Sequence, residues 1–408
     1  MSATMRPNPP SSLVLLAAAR ERFGNAGVDL LVRMIELGDP VADEADAELR
    51  GQGEGARRQL RAGLRHGRRF VSKDLPAVHA LLSETERVPE WVDRAALVRG
   101  SEAYLAIGNV WIMLSLGPGS LTHTYSSPSI ARVLTRTENL TGMARRRIVE
   151  TGMWNITSVL PGGLLLGSEG YVHNVQVRLL HARVRARLWQ QNWDPRESGG
   201  PINQLEMART WLDFTFVPFH ALQTFGITFS ESELADLYHF WRYVAHLLGV
   251  HPDLYAGVTS QAKAADLLGL ISATEQPPGE DARALTQAML VAVADLLGPS
   301  VPTSPPLTLD LVHAVARRLH GDVMADTLGI RKPLVRHVLG LITLANRLRR
   351  WRERIQPGAR AQTIEKTTTT FEGQLASLRG ETTYQRNAEQ APVAGWPKAV
   401  EPANEKVP

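Results

Sequence analysis

The chain has no cysteine in 408 residues. Disulfides, thiolate nucleophiles, cysteine-ligated zinc, iron–sulfur clusters and haem attached through C-x-x-C-H are therefore excluded. Any metal must be held by histidine, carboxylate or a prosthetic group. Aromatic residues are sparse at 6%. Lysine occurs only at 73, 263, 332, 366, 398 and 406, so arginine carries most of the net charge of +4. That excess is too small and too scattered for a nucleic-acid surface. Long apolar runs are missing too. The longest, 153–167, is broken by Asn155, Pro161, Gly162 and Gly163, and falls short of the roughly 20 residues a membrane span needs. The apolar stretch 13–19 runs straight into Arg20 and Glu21 with no twin-arginine pair before it, so it does not read as a signal peptide. A soluble, cytoplasmic protein is expected. No G-x-S-x-G elbow, Walker loop or H-E-x-x-H pair occurs.

What is present is helical periodicity. Apolar residues recur at 3–4 spacing through 11–36, 75–84, 93–116, 143–158, 171–190, 203–225, 231–249, 260–273, 281–297, 307–327 and 333–355. Proline and glycine sit mostly between these segments. Ser230 with Glu233 three residues on predicts a capping box. The expected class is all-α, with about ten helices in a single domain. Residues 38–60, which include Gly51-Gln-Gly-Glu-Gly55, read as a flexible acidic loop. Residues 356–408, with Thr367 to Thr370 and few large apolar side chains, read as a mostly disordered tail. The expected division is a helical extension over 1–37, the main domain over 38–345, and a basic helix end with the tail over 346–408.

The most informative residue is His181. It lies in a run without Gly or Pro, Tyr171 to Trp189, with Val177, Leu180, Val184 and Leu188 on one helical stripe. Arg178, Arg183, Arg185 and Arg187 rim it. Imidazole can bind a haem iron and guanidinium groups can face propionates. The alternative is a satisfied core histidine. Arg147, Glu150 and Thr151, at i, i+3 and i+4, share another helical face and could line a polar pocket, or simply pair at the surface. His239 and His246 lie two turns apart around Arg242 and Tyr243, as a cofactor-contacting stripe or as core histidines. Thr210 in mid-helix either back-bonds to a carbonyl or lines a pocket. On the last periodic segment, Leu334, Val338, Leu341, Ala345 and Leu348 face one way, and Arg347, Arg349, Arg350, Arg352 and Arg354 cluster at the end. That pattern suits either a final core helix or a peripheral membrane or partner contact.

In combination, Gly38-Asp-Pro-Val-Ala-Asp43, Arg147-Ile-Val-Glu-Thr151, Val177-Arg-Leu-Leu-His-Ala-Arg-Val-Arg185, Pro201-Ile-Asn-Gln204 and the Tyr238 to Val250 run resemble the rubber oxygenase or latex clearing protein family. The resemblance covers roughly residues 35–345 and extends to the fungal prenyl-chain-cleaving oxygenase. It implies a globin-like helical core holding non-covalent haem b, with His181 as the proximal iron ligand. It implies Arg147 and Thr151 on the distal helix, a pocket threonine at Thr210, and His239 and His246 on a haem-supporting helix. It implies oxygen-dependent cleavage of an isoprenoid double bond into two carbonyl ends. Where the latex clearing proteins place a distal lysine before the threonine, this chain has Glu150. Glu138 is the nearest upstream candidate for the family's catalytic carboxylate.

Three readings follow: a haem b oxygenase acting with O₂ on a small apolar substrate, with Arg147, Glu150 and Thr151 catalytic; a haem-binding sensor or peroxidase-like protein; and a non-haem helical protein docking at a membrane surface.

Overall fold

The computed structural model describes residues 9–137, 144–301 and 303–377. Among them the regular structure is all helical, with one isolated bridge between Leu13 and Glu275. The all-α class holds, but the helices are shorter and more numerous than the ten or so expected. Glycines with positive φ divide the periodic segments. Gly24 (φ 83°) separates Leu16–Phe23 from Asn25–Met34, and Gly108 (φ 92°) opens Asn109–Leu114 after Arg94–Leu105.

Two segments expected to be unpacked are helices. Residues 38–60 fall largely within Pro40–His66. Pro40 takes the first helical position, and the Asp39 carboxylate accepts from the Ala42 amide at 3.2 Å. The acidic side chains that suggested a solvated loop have distant partners: Asp39 pairs with Arg178, Asp43 with Arg185 and Asp46 with Arg183. In the presumed tail, Ala359–Ser377 is helical. The hydroxyls of Thr363, Thr367 and Thr370 each bond the carbonyl four residues earlier, and Phe371 is buried. The rest of that expected tail, 378–408, lies outside the described residues.

The core is centred on rings. Trp154 meets Phe214 edge-on at 4.9 Å between centroids, and Tyr104 and Trp154 each approach Trp241 at 6.0 Å. Helices Arg94–Leu105 and Glu231–Leu247 cross closely at Gly100, where a Cβ would stand 2.6 Å from the Asp236 carbonyl. The Ser230 capping box forms as expected.

Burial pushes the pKa of His173, His313 and His320 down to about 4. Unfolded, each takes up a proton below about 6.5; folded, only near 4. Their neutral forms therefore favour the fold above 6.5, and that contribution is lost as pH falls toward 4. Tm is expected to fall over this interval, with a shallower slope in His173→Gln. An unchanged slope would remove that histidine from the account.

Candidate active site

Helix Ala144–Val159 packs on helix Glu169–Gln190. The Trp154 indole donates to Asn174 (2.9 Å), the Asn174 amide donates to Ser158 (2.9 Å), and Thr157 bonds His173 (2.9 Å). These pairings make the helices antiparallel. Counted by helical turns from the Trp154–Asn174 contact, His181 lies two turns along one helix and Arg147 two turns back along the other, which pairs His181 with the turn that holds Arg147, Glu150 and Thr151. Burial changes along the same line. Met153–Val159 are buried, whereas 144–152 are exposed or half-buried, as are Val177, His181 and Val184 opposite. The expected iron ligand and polar trio thus sit at the less buried end of this helix pair.

The His181 Nδ1 is buried without a hydrogen-bond partner. Burial, reinforced by the nearby Arg185 guanidinium, pushes its pKa down to about 4, so the ring is neutral near pH 7. A neutral imidazole with an uncommitted nitrogen is the donor a haem iron requires. Among the described residues, no group of three or more His, Asp or Glu side chains could hold a bare metal ion. On donor chemistry, His181 fits a prosthetic iron.

The arginine rim is committed elsewhere. Arg178 places Nε and Nη2 on the Asp39 carboxylate (2.6 and 2.9 Å) and Nη1 on Glu84 (2.9 Å). Arg185 donates from Nε to Asp43 at 2.8 Å and Arg183 donates to Asp46 at 3.2 Å; Arg187 stays exposed. The expected apolar stripe shifts in consequence. Leu180 is 44% exposed, and the buried face carries Arg178 and Arg185. His239 Nε2 accepts the Asp93 amide (2.9 Å) and packs edge-on against Trp91. His246 stacks on Tyr243, with Nδ1 3.4 Å from the Tyr255 hydroxyl and Nε2 buried without a partner. Thr210 is only half-buried. Glu138 lies outside the described residues.

A cavity of about 510 Å³ opens on the other side of helix Ala144–Val159. Ile112, Leu116, Ile148, Phe214, Val293 and Phe371 supply apolar wall, and Thr151 and Asn155 supply polar atoms. Thr151 therefore lines the cavity from the turn that faces His181. Among the described residues, the only charged side chains lining it are Arg145 and Arg146, and Arg146 donates to Glu150 at 3.1 Å. Residues 115–121 add a π-helical wall containing Pro118.

Residues 105–353 match the model of the ER-bound oxygenase mpaB/B'/Rubber oxygenase catalytic domain. The chain belongs to this family. A rubber oxygenase of Streptomyces sp. (strain K30) is 28% identical over 262 residues, 62% of this chain and 60% of that one. The chain thus aligns with three-fifths of that relative's length. The solved structure of latex clearing protein LCP in the closed state superposes with a TM-score of 0.63 at 21% identity, covering 83% of this chain and 90% of that one. This shows a shared fold.

In this family member, four of the five resembling segments converge at one buried junction. Asp39 and Arg178 meet there, and Gln204 donates to the carbonyls of Gly38 and Gly249 (3.0 Å each) while accepting from the His251 amide (2.7 Å). Gly249 (φ 75°) passes so close that a Cβ would strike the Arg178 guanidinium and the Asp39 carboxylate. The glycine-aspartate and leucine-leucine-glycine signatures thus report a structural junction, and only the His181 and Arg147–Thr151 segments point at the candidate site. Sequence reading missed Asn155 and Phe371, which carry no local signal. It also missed buried Asp213, which pairs with His123 (2.6 Å) and accepts from Thr124 (2.7 Å) and Arg209 (3.3 Å) beside the π-helical wall.

Proposed function

We propose that the chain is a b-type haem-dependent oxygenase that cleaves a carbon–carbon double bond of a small apolar, isoprenoid or lipid-like substrate. The observation that carries the reading is neutral His181 with an uncommitted buried Nδ1; helix periodicity, counted from the Trp154–Asn174 contact, sets it opposite Arg147, Glu150 and Thr151. Family membership and the oxygenase activity for which the Streptomyces relative is named support it. His181 would hold the iron. When bound, the haem supplies oxygen activation, and both atoms of O₂ end in the two carbonyl groups formed from the alkene.

The chain's own residues do the rest. The cavity has the volume of an ordinary small-molecule site and a mostly apolar wall. Thr151 connects that cavity to the polar turn. Its hydroxyl and the Arg147 guanidinium donate hydrogen bonds, and the Glu150 carboxylate, steadied by Arg146, takes up or returns a proton. Glu150→Gln is expected to keep haem content unchanged and to slow substrate-dependent oxygen uptake about 100-fold. Uptake at the wild-type rate would remove Glu150 from the chemistry. A wild-type protein with full haem and no oxygen uptake on any polyprenyl or unsaturated lipid substrate would favour the sensor reading.

A further inference from the structure

The helix Leu339–Ile355 is packed inside out. Its buried face is mostly polar: Leu339, Thr343, Asn346, Arg350 and Glu353. Arg350 pairs with Glu353 at 2.7 Å and reaches Glu233, while Asn346 donates to the Phe225 carbonyl at 2.9 Å. The opposite face presents Leu341, Leu344, Leu348, Trp351 and Ile355 to solvent, with Leu341 69% and Trp351 60% exposed. At 100° per residue these five side chains form one continuous stripe along about 21 Å of helix. A soluble surface scatters its large apolar side chains; a contiguous stripe marks a contact.

The flanks of the stripe identify the contact. Arg352 lies along one edge, and Arg347 and Arg354 along the other. All three are exposed and, among the described residues, none has a carboxylate partner. The helix's one acid, Glu353, is turned into the protein. Pairing the stripe with a second copy of itself would lay one basic edge against another, which like charge opposes. An apolar strip of Leu, Trp and Ile between arginines is instead the pattern of a helix lying in a bilayer interface. Its apolar side chains enter the acyl boundary while the arginines reach anionic headgroups. No single helix among the described residues is long and apolar enough to cross a membrane.

We propose that Leu339–Ile355 is a peripheral docking face for an anionic lipid bilayer. This rests on the exposed face alone and is independent of the oxygenase reading.

The test is flotation of the full chain with vesicles of phosphatidylcholine alone, or of phosphatidylcholine mixed with phosphatidylserine. The chain is expected to float with the mixed vesicles, to bind neutral ones far less, and to be released by salt. The triple variant Leu341→Ser, Leu348→Ser, Trp351→Ser should lose binding at least about tenfold with unchanged Tm, because all three side chains are exposed. The triple variant Arg347→Gln, Arg352→Gln, Arg354→Gln should lose the preference for phosphatidylserine and the salt dependence. Three results would overturn the proposal. One is a wild-type chain that does not float, or whose flotation neither variant alters. Another is a wild-type dimer in light scattering that the serine variant converts to monomer, which makes a second copy the occupant. The third is a chain lacking 378–408 that floats when the full chain does not, which makes the tail the occupant.

Discussion

Replacing His181 with alanine is expected to strip the protein of haem. A pyridine haemochrome assay should fall from about one haem b per chain to less than about a tenth, and the Soret band should vanish. The expectation follows from what the ring has and lacks. It has surroundings that keep the ring neutral, and it has a buried Nδ1 without a partner. Removing an imidazole that nothing in the protein hydrogen-bonds at that atom should cost the apo fold little beyond the lost packing, so far-UV CD should be unchanged. His239→Ala is the matched control. That ring is engaged by the Asp93 amide and Trp91, so haem content should stay at the wild-type level. Full haem in His181→Ala would end the ligand assignment. A colourless wild-type protein that also refuses added haemin would end the haem reading altogether.

The second large effect is on stability. Arg178→Leu should cost about 3–5 kcal/mol, because it strands the Asp39 carboxylate in a buried site without its charge partner. For a chain of this size that is a drop of about 5 °C in Tm. Asp39→Asn in the same molecule keeps a helix-capping oxygen and removes the stranded charge, so the double variant should recover much of the loss. Gly249→Ala should be destabilising through the same contact, since its methyl would enter the space between the two charges and its φ of 75° disfavours any side chain. Haem per folded chain should hardly change in Arg178→Leu, because the guanidinium is spent on Asp39 and Glu84. A normal Tm in Arg178→Leu would show that the junction carries no such weight.

The legible parts of this protein are those in which neighbours in sequence decide the outcome. The Ser230 cap, the helix around His181 and the i, i+3, i+4 grouping at Arg147 depend on residues within two turns of one another. Partners far apart in the chain stay hidden. Asp39 and Arg178 are 139 positions apart, so the first read as part of a solvated loop and the second as a cofactor contact. Each charge looks surplus until the other is seen. The threonine-rich stretch after 359 misleads for a related reason: its β-branched residues argue against a helix, but hydroxyl back-bonds and the burial of Phe371 against other helices outweigh that tendency. The helix Leu339–Ile355 shows the opposite limit. Its apolar periodicity is plain, but periodicity does not tell which face the protein keeps.

The cavity beside Thr151 is walled partly by Phe371, Gln374 and Ser377, from a helix that begins after the family-matched segment ends at 353. On the proposed function, the reacting end and the measuring end of the chamber are therefore written in separate stretches of chain. Exchanging the helix Ala359–Ser377 between relatives would resize the chamber while the polar turn at Arg147–Thr151 stays in place. In a scaffold that works this way, substrate range is free to drift by changes outside the family-matched segment, with the chemistry held fixed within it.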